Sequence, residues 1–186
     1  MTLALVAALT LHAQPFDLKE WNKDRLTTSR VGMLSLGSWA VANMGVGAFG
    51  AALETDERWR AFHVTNLVWN TLNLTLALIS LVREWDDDPA RFTAKESLVS
   101  SEGSEKVFFI NAALDLGYLA AAAFLWQRGE ATNTPWLVGA GQALLLQGGF
   151  LVLFDGIMGI LNARLTGRLL EGVDVQVTPL GVAGRF

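Results

Sequence analysis

The second long apolar stretch of this sequence carries polar side chains at helical spacing. Successive members are separated by three, four and three positions, so that one face of a helix holds all of them. These residues are His63, Asn66, Asn70 and Asn73. The third apolar stretch repeats the pattern with Asn111, Asp115 and Tyr118. Amides, an imidazole and a carboxylate in such surroundings could bind an ion, a proton or a small polar ligand.

Polar residues in the other two stretches fall at similar depths. Depth is counted at about 1.5 Å per residue from the membrane face shared by the N-terminus and the long link. Four residues lie roughly eight to twelve residues inward from that face, namely Asn43, Asn70, Asn73 and Asp115, and Gln147 and Asp155 fall in the same half of the membrane. The ten candidate ligand-binding residues are Asn43, His63, Asn66, Asn70, Asn73, Asn111, Asp115, Tyr118, Gln147 and Asp155. The alternative is a hydrogen-bonding network that holds helices together, at about 0.6 kcal/mol per contact.

Asp115 is the most informative of these residues. A carboxylate at the centre of a membrane span costs roughly 2.5–3.5 kcal/mol on insertion scales, so it must be paired, protonated or hydrated. We therefore expect Asp115 to point into the helix bundle. Its expected hydrogen-bonding partners are Asn43, Asn70, Asn73 and Asp155.

Composition excludes several classes of protein. The chain has 186 residues, of which 52% are hydrophobic and 17% charged, so a soluble multidomain enzyme and a disordered chain are both excluded. A net charge of −4 gives no basic surface for nucleic acid. The absence of cysteine excludes thiolate chemistry and iron–sulfur clusters, and two histidines are too few for a three-histidine metal site. No metal site is predicted, and the sequence identifies no cofactor.

Four apolar stretches reach the length of about 20 residues that a membrane helix needs. They cover residues 31–53, 61–82, 107–126 and 136–163. Trp59, Trp85, Trp126 and Trp136 flank them, as expected for aromatic belts at the membrane surface. Short links after the first and third stretches predict antiparallel neighbours. The fold class is therefore an all-α, up-down-up-down four-helix transmembrane bundle over residues 14–168.

The two ends of the chain give conflicting indications of orientation. Residues 1–13 are typical of a secretory leader, which would place the mature N-terminus outside the cytoplasm. Eleven Lys and Arg residues lie in the N-terminal flank, the long link and the C-terminal tail, whereas three lie in the two short links. This distribution favours cytoplasmic termini. At the other end, residues 169–186 are predicted to form an extramembrane tail with a short β-like hairpin, because Val173–Thr178 alternates with period two.

Four segments of the chain resemble an uncharacterised family of small bacterial four-helix membrane proteins. They are residues 36–45 (LGSWAVANMG), 62–73 (FHVTNLVWNTLN), 111–118 (NAALDLGY) and 147–155 (QGGFLVLFD). The resemblance covers roughly residues 20–186. It implies the four-helix membrane architecture and no activity.

Two functional hypotheses follow for a protein of the bacterial inner membrane. The first is binding or transport of a small polar ligand or cation by the Asn/Asp/His cluster. The second is a non-enzymatic structural or accessory subunit of a membrane complex. An intramembrane enzyme is the least favoured, because His63 and Asp115 lie toward opposite faces. The expected partners are the lipid bilayer and either further copies of the chain or other subunits of a larger complex.

The orientation conflict can be tested by cysteine labelling, since the chain has no native cysteine. If the termini are cytoplasmic, Gly103→Cys in intact cells resists a membrane-impermeant thiol reagent, whereas Asn133→Cys in the opposite link reacts. Labelling of Gly103→Cys without labelling of Asn133→Cys would contradict the charge rule.

Overall fold

The computed structural model describes residues 16–173, 175–178 and 181–184. It contains four long helices, each long and apolar enough to cross a membrane. They are α1 (Leu18–Leu53), α2 (Glu57–Glu84), α3 (Ala94–Ala131) and α4 (Pro135–Gly172). The four-helix, membrane-compatible architecture predicted from the apolar stretches is confirmed. The predicted leader at residues 1–13 lies outside the described residues.

The helices begin where the sequence offers side-chain caps. Asp17 accepts hydrogen bonds from the backbone N–H groups of Lys19 and Glu20, and Asp56 accepts one from Trp59. Thr93 and Glu96 form a capping box at the start of α3, in which each side chain bonds the backbone of the other. These caps satisfy N–H groups that have no partner within the helix.

The capping box corrects the predicted extent of the link between the second and third spans. We expected residues 83–106 to be a link, but α3 already begins at Ala94. A short 3₁₀ helix, Pro89–Arg91, lies within the remaining connection. Arg30 of α1 donates hydrogen bonds to the carbonyl oxygens of Glu84 and Trp85, which fixes this connection against the bundle.

Helix α4 is the central element of the bundle. It packs against α3, α2 and α1, whereas α3 has its main contact with α4 alone. The largest number of buried residues also belongs to α4. The helices joined by the two short links, α1 with α2 and α3 with α4, are neighbours as predicted. Helix α2 also packs against α4, and its backbone stays apart from that of α3.

Small residues explain why α4 can approach two helices so closely. A Cβ atom placed on Gly141 would lie 2.6 Å from the backbone nitrogen of Trp126 and 2.7 Å from the carbonyl oxygen of Ala122, both on α3. One placed on Gly139 would collide with the backbone of Arg58 on α2. Gly47 serves the same purpose between α1 and α2. Close backbone contact of this kind supplies packing energy where lipid removes the hydrophobic driving force between helices.

Two apolar clusters lie along the bundle axis. Met33, Leu36, Ala77 and Leu151 form the first, within the membrane spans. Trp21, Leu165 and Leu169 form the second, near the end shared by the N-terminus and the end of α4. Trp21 also donates a hydrogen bond from Nε1 to the carbonyl oxygen of Leu165, at 2.9 Å. The helices are therefore joined both inside the apolar layer and beyond it.

Beyond α4 the chain forms two short strands, Val175–Thr178 and Gly181–Gly184. They pair antiparallel, with Val175 opposite Gly184. Two strands of this length do not form an independently stable sheet in water. The structure therefore supports the helical bundle and does not support a stable β-like tail.

Replacing Gly141 by Ala should destabilise the bundle, because the new methyl group would meet backbone atoms of α3 that cannot move aside. We expect Gly141→Ala to lower the thermal unfolding temperature in detergent. The corresponding loss in the free energy of unfolding should be roughly 1–3 kcal/mol, as is typical of overpacking. Gly149→Ala is the matched control, since a Cβ at Gly149 meets nothing within 4 Å. Equal unfolding temperatures for the two variants would contradict this account of the α3–α4 contact.

Candidate functional site

Gln147 of α4 connects three helices through hydrogen bonds and is completely buried. Its amide nitrogen donates to Asn66 Oδ1 on α2 at 2.6 Å and to Asn43 Oδ1 on α1 at 3.3 Å. Its amide oxygen accepts from Trp39 Nε1 at 2.9 Å. Both ends of one amide are thus occupied by protein groups, which leaves little capacity for a ligand.

The remaining asparagines of α2 extend this network along the helix. Asn70 donates to the carbonyl oxygen of Asn66 at 2.8 Å, and Asn73 donates to Asn70 Oδ1 at 3.4 Å. Asn70 is fully buried, and Asn73 lies at the end of the series, where it lines a cleft. The predicted single polar layer is therefore a connected line of amides that ends at an opening.

Two carboxyl groups meet at that opening. Asp115 of α3 and Asp155 of α4 are 4% and 6% exposed, and their side chains lie within hydrogen-bonding reach of each other. Asn111, one turn before Asp115, lines the same cleft. Two carboxyl groups form such a contact only when one of them carries a proton, because two carboxylates repel. Of the partners predicted for Asp115, the structure supplies Asp155.

The cleft has a volume of about 470 Å³ and lies where α2 and α3 stay apart. Asp115, Asp155, Asn73 and Asn111 supply its polar groups within the spans. Trp69 of α2 and Tyr118 of α3 also line it, with their rings edge to face at a centroid distance of 5.3 Å. Leu151 and Phe154 contribute apolar wall from α4.

Two polar atoms of the cleft residues lack a partner among the residues that the structure describes. They are Asp115 Oδ2, a hydrogen-bond acceptor, and Trp69 Nε1, a donor, and both are buried. A buried polar atom without a partner costs roughly 1–3 kcal/mol. A ligand that carries a donor for Asp115 would recover part of this cost.

His63 lies outside the acidic cleft. Its ring packs over Gly50 of α1 and edge-on to Phe62, and it lines a shallow cavity together with Gly50 and Glu54. Its Nδ1 is buried and has no partner in the described part of the chain. The ten predicted residues therefore divide into three sets. The Gln147 network comprises Asn43, Asn66, Asn70, Asn73 and Gln147, the acidic cleft contains Asn111, Asp115, Tyr118 and Asp155, and His63 is isolated from both.

Several polar residues of the structure were not predicted from the sequence. Ser80 and Arg83, near the end of α2, line the acidic cleft, and Trp69 does so at its centre. Trp69 lies inside the second span and not beside it, so its sequence position gave no indication of a polar role, although its indole Nε1 is a hydrogen-bond donor. In the sequence, Arg83 was one of the eleven basic residues that bear on orientation, and it was not a candidate for the site.

A second buried polar cluster lies beyond the spans and also escaped the sequence analysis. Asn22 accepts from Ser97, and Arg25 donates to Ser100 at 3.0 Å, which joins α1 to the first turns of α3. Burial lowers the pKa of the Arg25 guanidinium, against the opposing effect of nearby Glu84 and Asp87. Because this part of α3 was expected to be a link, its serines gave no reason to expect burial.

Among the described residues, no group of three or more His, Asp or Glu side chains could hold a metal ion. The acidic pair supplies two carboxyl groups and nearby amides. Ca²⁺ and Mg²⁺ require about six or more oxygen ligands. The carboxyl and amide oxygens of the cleft instead suit a proton, a monovalent cation or an organic ammonium group.

Comparison with known proteins gives one match. The profile of a family of unknown function (DUF6992) matches residues 35–156. This range includes all ten candidate residues, from Asn43 to Asp155. No curated protein and no solved structure matches the chain.

The Gln147 network should contribute to stability independently of any ligand. Gln147→Leu removes the partner of Trp39 Nε1 and of Asn66 Oδ1, so we expect a lower thermal unfolding temperature in detergent, equivalent to about 1–3 kcal/mol. Gln142→Leu is the control, because Gln142 accepts one hydrogen bond, from half-buried Arg58. A Gln147→Leu variant as stable as Gln142→Leu would show that the network does not hold the helices together.

Proposed function

The chain belongs to DUF6992, a family of unknown function, and from its own residues we propose that it binds a small organic ammonium compound in the acidic cleft. The observation that carries this proposal is the contact between Asp115 and Asp155 beside an opening lined by aromatic side chains. Binding of a polar ligand by intramembrane carboxylates is the function that these residue types suit.

The acidic pair provides the recognition of positive charge. Two carboxyl groups in contact hold one proton between them when the cleft is empty of cations. An ammonium group can replace that proton, since it brings a positive charge together with several N–H donors. One donor would reach Asp115 Oδ2, the acceptor without a protein partner. The exchange leaves the net charge of the site unchanged, which limits the cost of burying the ligand.

The aromatic residues provide the recognition of the organic part. Trp69 and Tyr118 face the cleft at the level of the acidic pair, and Phe108 and Phe154 lie in contact across it. Aromatic faces attract ammonium groups by roughly 0.5–2 kcal/mol, and their area binds the attached carbon atoms. A bare monovalent ion would gain less from these walls than an organic cation.

Arg83 determines which ammonium compounds suit the cleft. It lines the same opening about ten residues along α2 from Asn73, toward the membrane surface. A ligand with an acidic group beyond its ammonium end would be attracted at both places, whereas a second ammonium group would be repelled. Beyond the cleft, the Gln147 network closes the interior with protein hydrogen bonds, so the arrangement supports binding better than transport.

One observation favours the second hypothesis, a non-enzymatic subunit of a membrane complex. Helix α3 packs mainly against α4, and its most apolar stretch is only 11% buried within the bundle. The remaining surface is available to lipid or to another subunit. On this alternative the acidic pair would be covered by a neighbouring helix instead of a ligand.

Titration calorimetry on the full chain in detergent tests the proposal. We expect phenethylamine to bind and 2-phenylethanol, its neutral analogue, not to bind. Asp115→Asn and Asp155→Asn should each weaken binding about tenfold or more, because a charged hydrogen bond is lost. Binding should also weaken as the pH is lowered, since protons compete with the amine for the carboxyl pair.

Asp86→Asn is the matched control, because Asp86 is exposed in the connection after α2. Thermal unfolding of each variant shows whether the fold is kept. Equal binding of amine and alcohol, or unchanged affinity in folded Asp115→Asn, would contradict the proposal. Covering of Asp115 by a copurified subunit would favour the alternative.

A further inference from the structure

A groove runs between α1 and α4, apart from the Asp115–Asp155 contact. Its inner part has a volume of about 580 Å³ and is lined almost entirely by apolar groups, including Val31, Leu153, Ile157 and Met158. A second cavity of about 340 Å³ continues it and contains Arg164 and Arg168. Thr27, Thr28 and Leu161 line both cavities, so the two form one groove with an apolar end and a cationic end.

The length of the groove matches one leaflet of a bilayer. Phe150 and Leu161 mark the apolar part on α4 and are eleven positions apart in the helix. At about 1.5 Å per residue this part is roughly 17 Å long. Half of a hydrocarbon core of about 30 Å is nearly the same length. The two arginines follow directly, at the depth where the headgroups of that leaflet lie.

Charge and hydrogen bonding at the cationic end favour an anionic group. Arg164 and Arg168 are four residues apart and therefore lie on one face of α4. Arg168 pairs with Asp24 at 3.0 Å, whereas Arg164 has no ion pair with any residue in the described ranges. One positive charge thus remains available beside the hydroxyl groups of Thr27 and Thr28.

We propose that this groove binds one anionic phospholipid, with an acyl chain between α1 and α4 and the phosphate beside Arg164 and Arg168. Gly32 makes room for the acyl chain. Because it has no side chain, Met158 can lie against the backbone of α1 at the floor of the groove. Basic pockets between membrane helices are suited to lipids with anionic headgroups. A zwitterionic lipid carries no net negative charge that would balance the unpaired arginine.

Native mass spectrometry of the full chain in mild detergent tests this proposal. With phosphatidylglycerol and phosphatidylcholine present at equal concentration, we expect one phosphatidylglycerol to be retained in preference. Arg164→Gln together with Arg168→Gln should reduce that preference by about fivefold for each arginine. Arg60→Gln together with Arg128→Gln, at the opposite face, is the control and should leave the preference unchanged.

A second pair of variants tests the apolar part of the groove. Ser35→Phe places a ring in the groove and should reduce retention of both lipids, whereas Ser38→Phe, outside the groove, should not. Inorganic phosphate at millimolar concentration should not displace the bound lipid. Equal retention of the two lipids, displacement by phosphate, or a lipid-free dimer that excludes both lipids would each overturn the proposal.

Discussion

The rest of the bundle depends on the hydrogen bonds made by the fully buried amide of Gln147. In lipid, apolar side chains gain little from leaving the solvent, so helices associate through close packing and hydrogen bonds. Gln147 supplies such bonds from α4 to α1 and α2 at once. The glycines at 139 and 141 bring the same helix against α2 and α3. One helix therefore contacts all the others. The cleft lies where α2 and α3 stay apart, and the groove lies between α1 and α4.

The amides and the carboxyl groups of this bundle differ in how far the protein itself satisfies them. The amides of the Gln147 network donate to and accept from one another, and their buried polar atoms find protein partners. The carboxyl pair cannot achieve this, because both members are acceptors unless a proton is added. It lies where α2 and α3 do not close over it. The unpartnered acceptor at this opening, Asp115 Oδ2, is therefore the feature on which the proposed ligand site rests.

Much of the architecture could be predicted from the sequence, since four apolar stretches with flanking tryptophans admit few folds. Counting depth along antiparallel helices also placed Asn43 and Gln147 in the same half of the membrane, and the structure joins them by a hydrogen bond. Which helices touch could not be predicted, because that depends on close approaches at Gly139 and Gly141 that apolar patterning does not reveal. The same limit hid the role of Trp69 and the burial of Ser97, whose helix was expected to start later. His63 shared a helical face with the asparagines, yet the ring packs toward Gly50 and away from the acidic pair.

The position of α4 in the chain has a consequence for biosynthesis. Ribosomes deliver helices in order, so α1, α2 and α3 enter the membrane before the helix that joins them. During this interval Asn43, Asn66 and Asp115 have no access to their partners on α4. An insertion factor or a temporary pairing among the early helices must shelter these polar groups until synthesis reaches Gln147 and Asp155. Loss of the last helix, by truncation or premature termination, would therefore yield an unassembled set of spans instead of a smaller bundle.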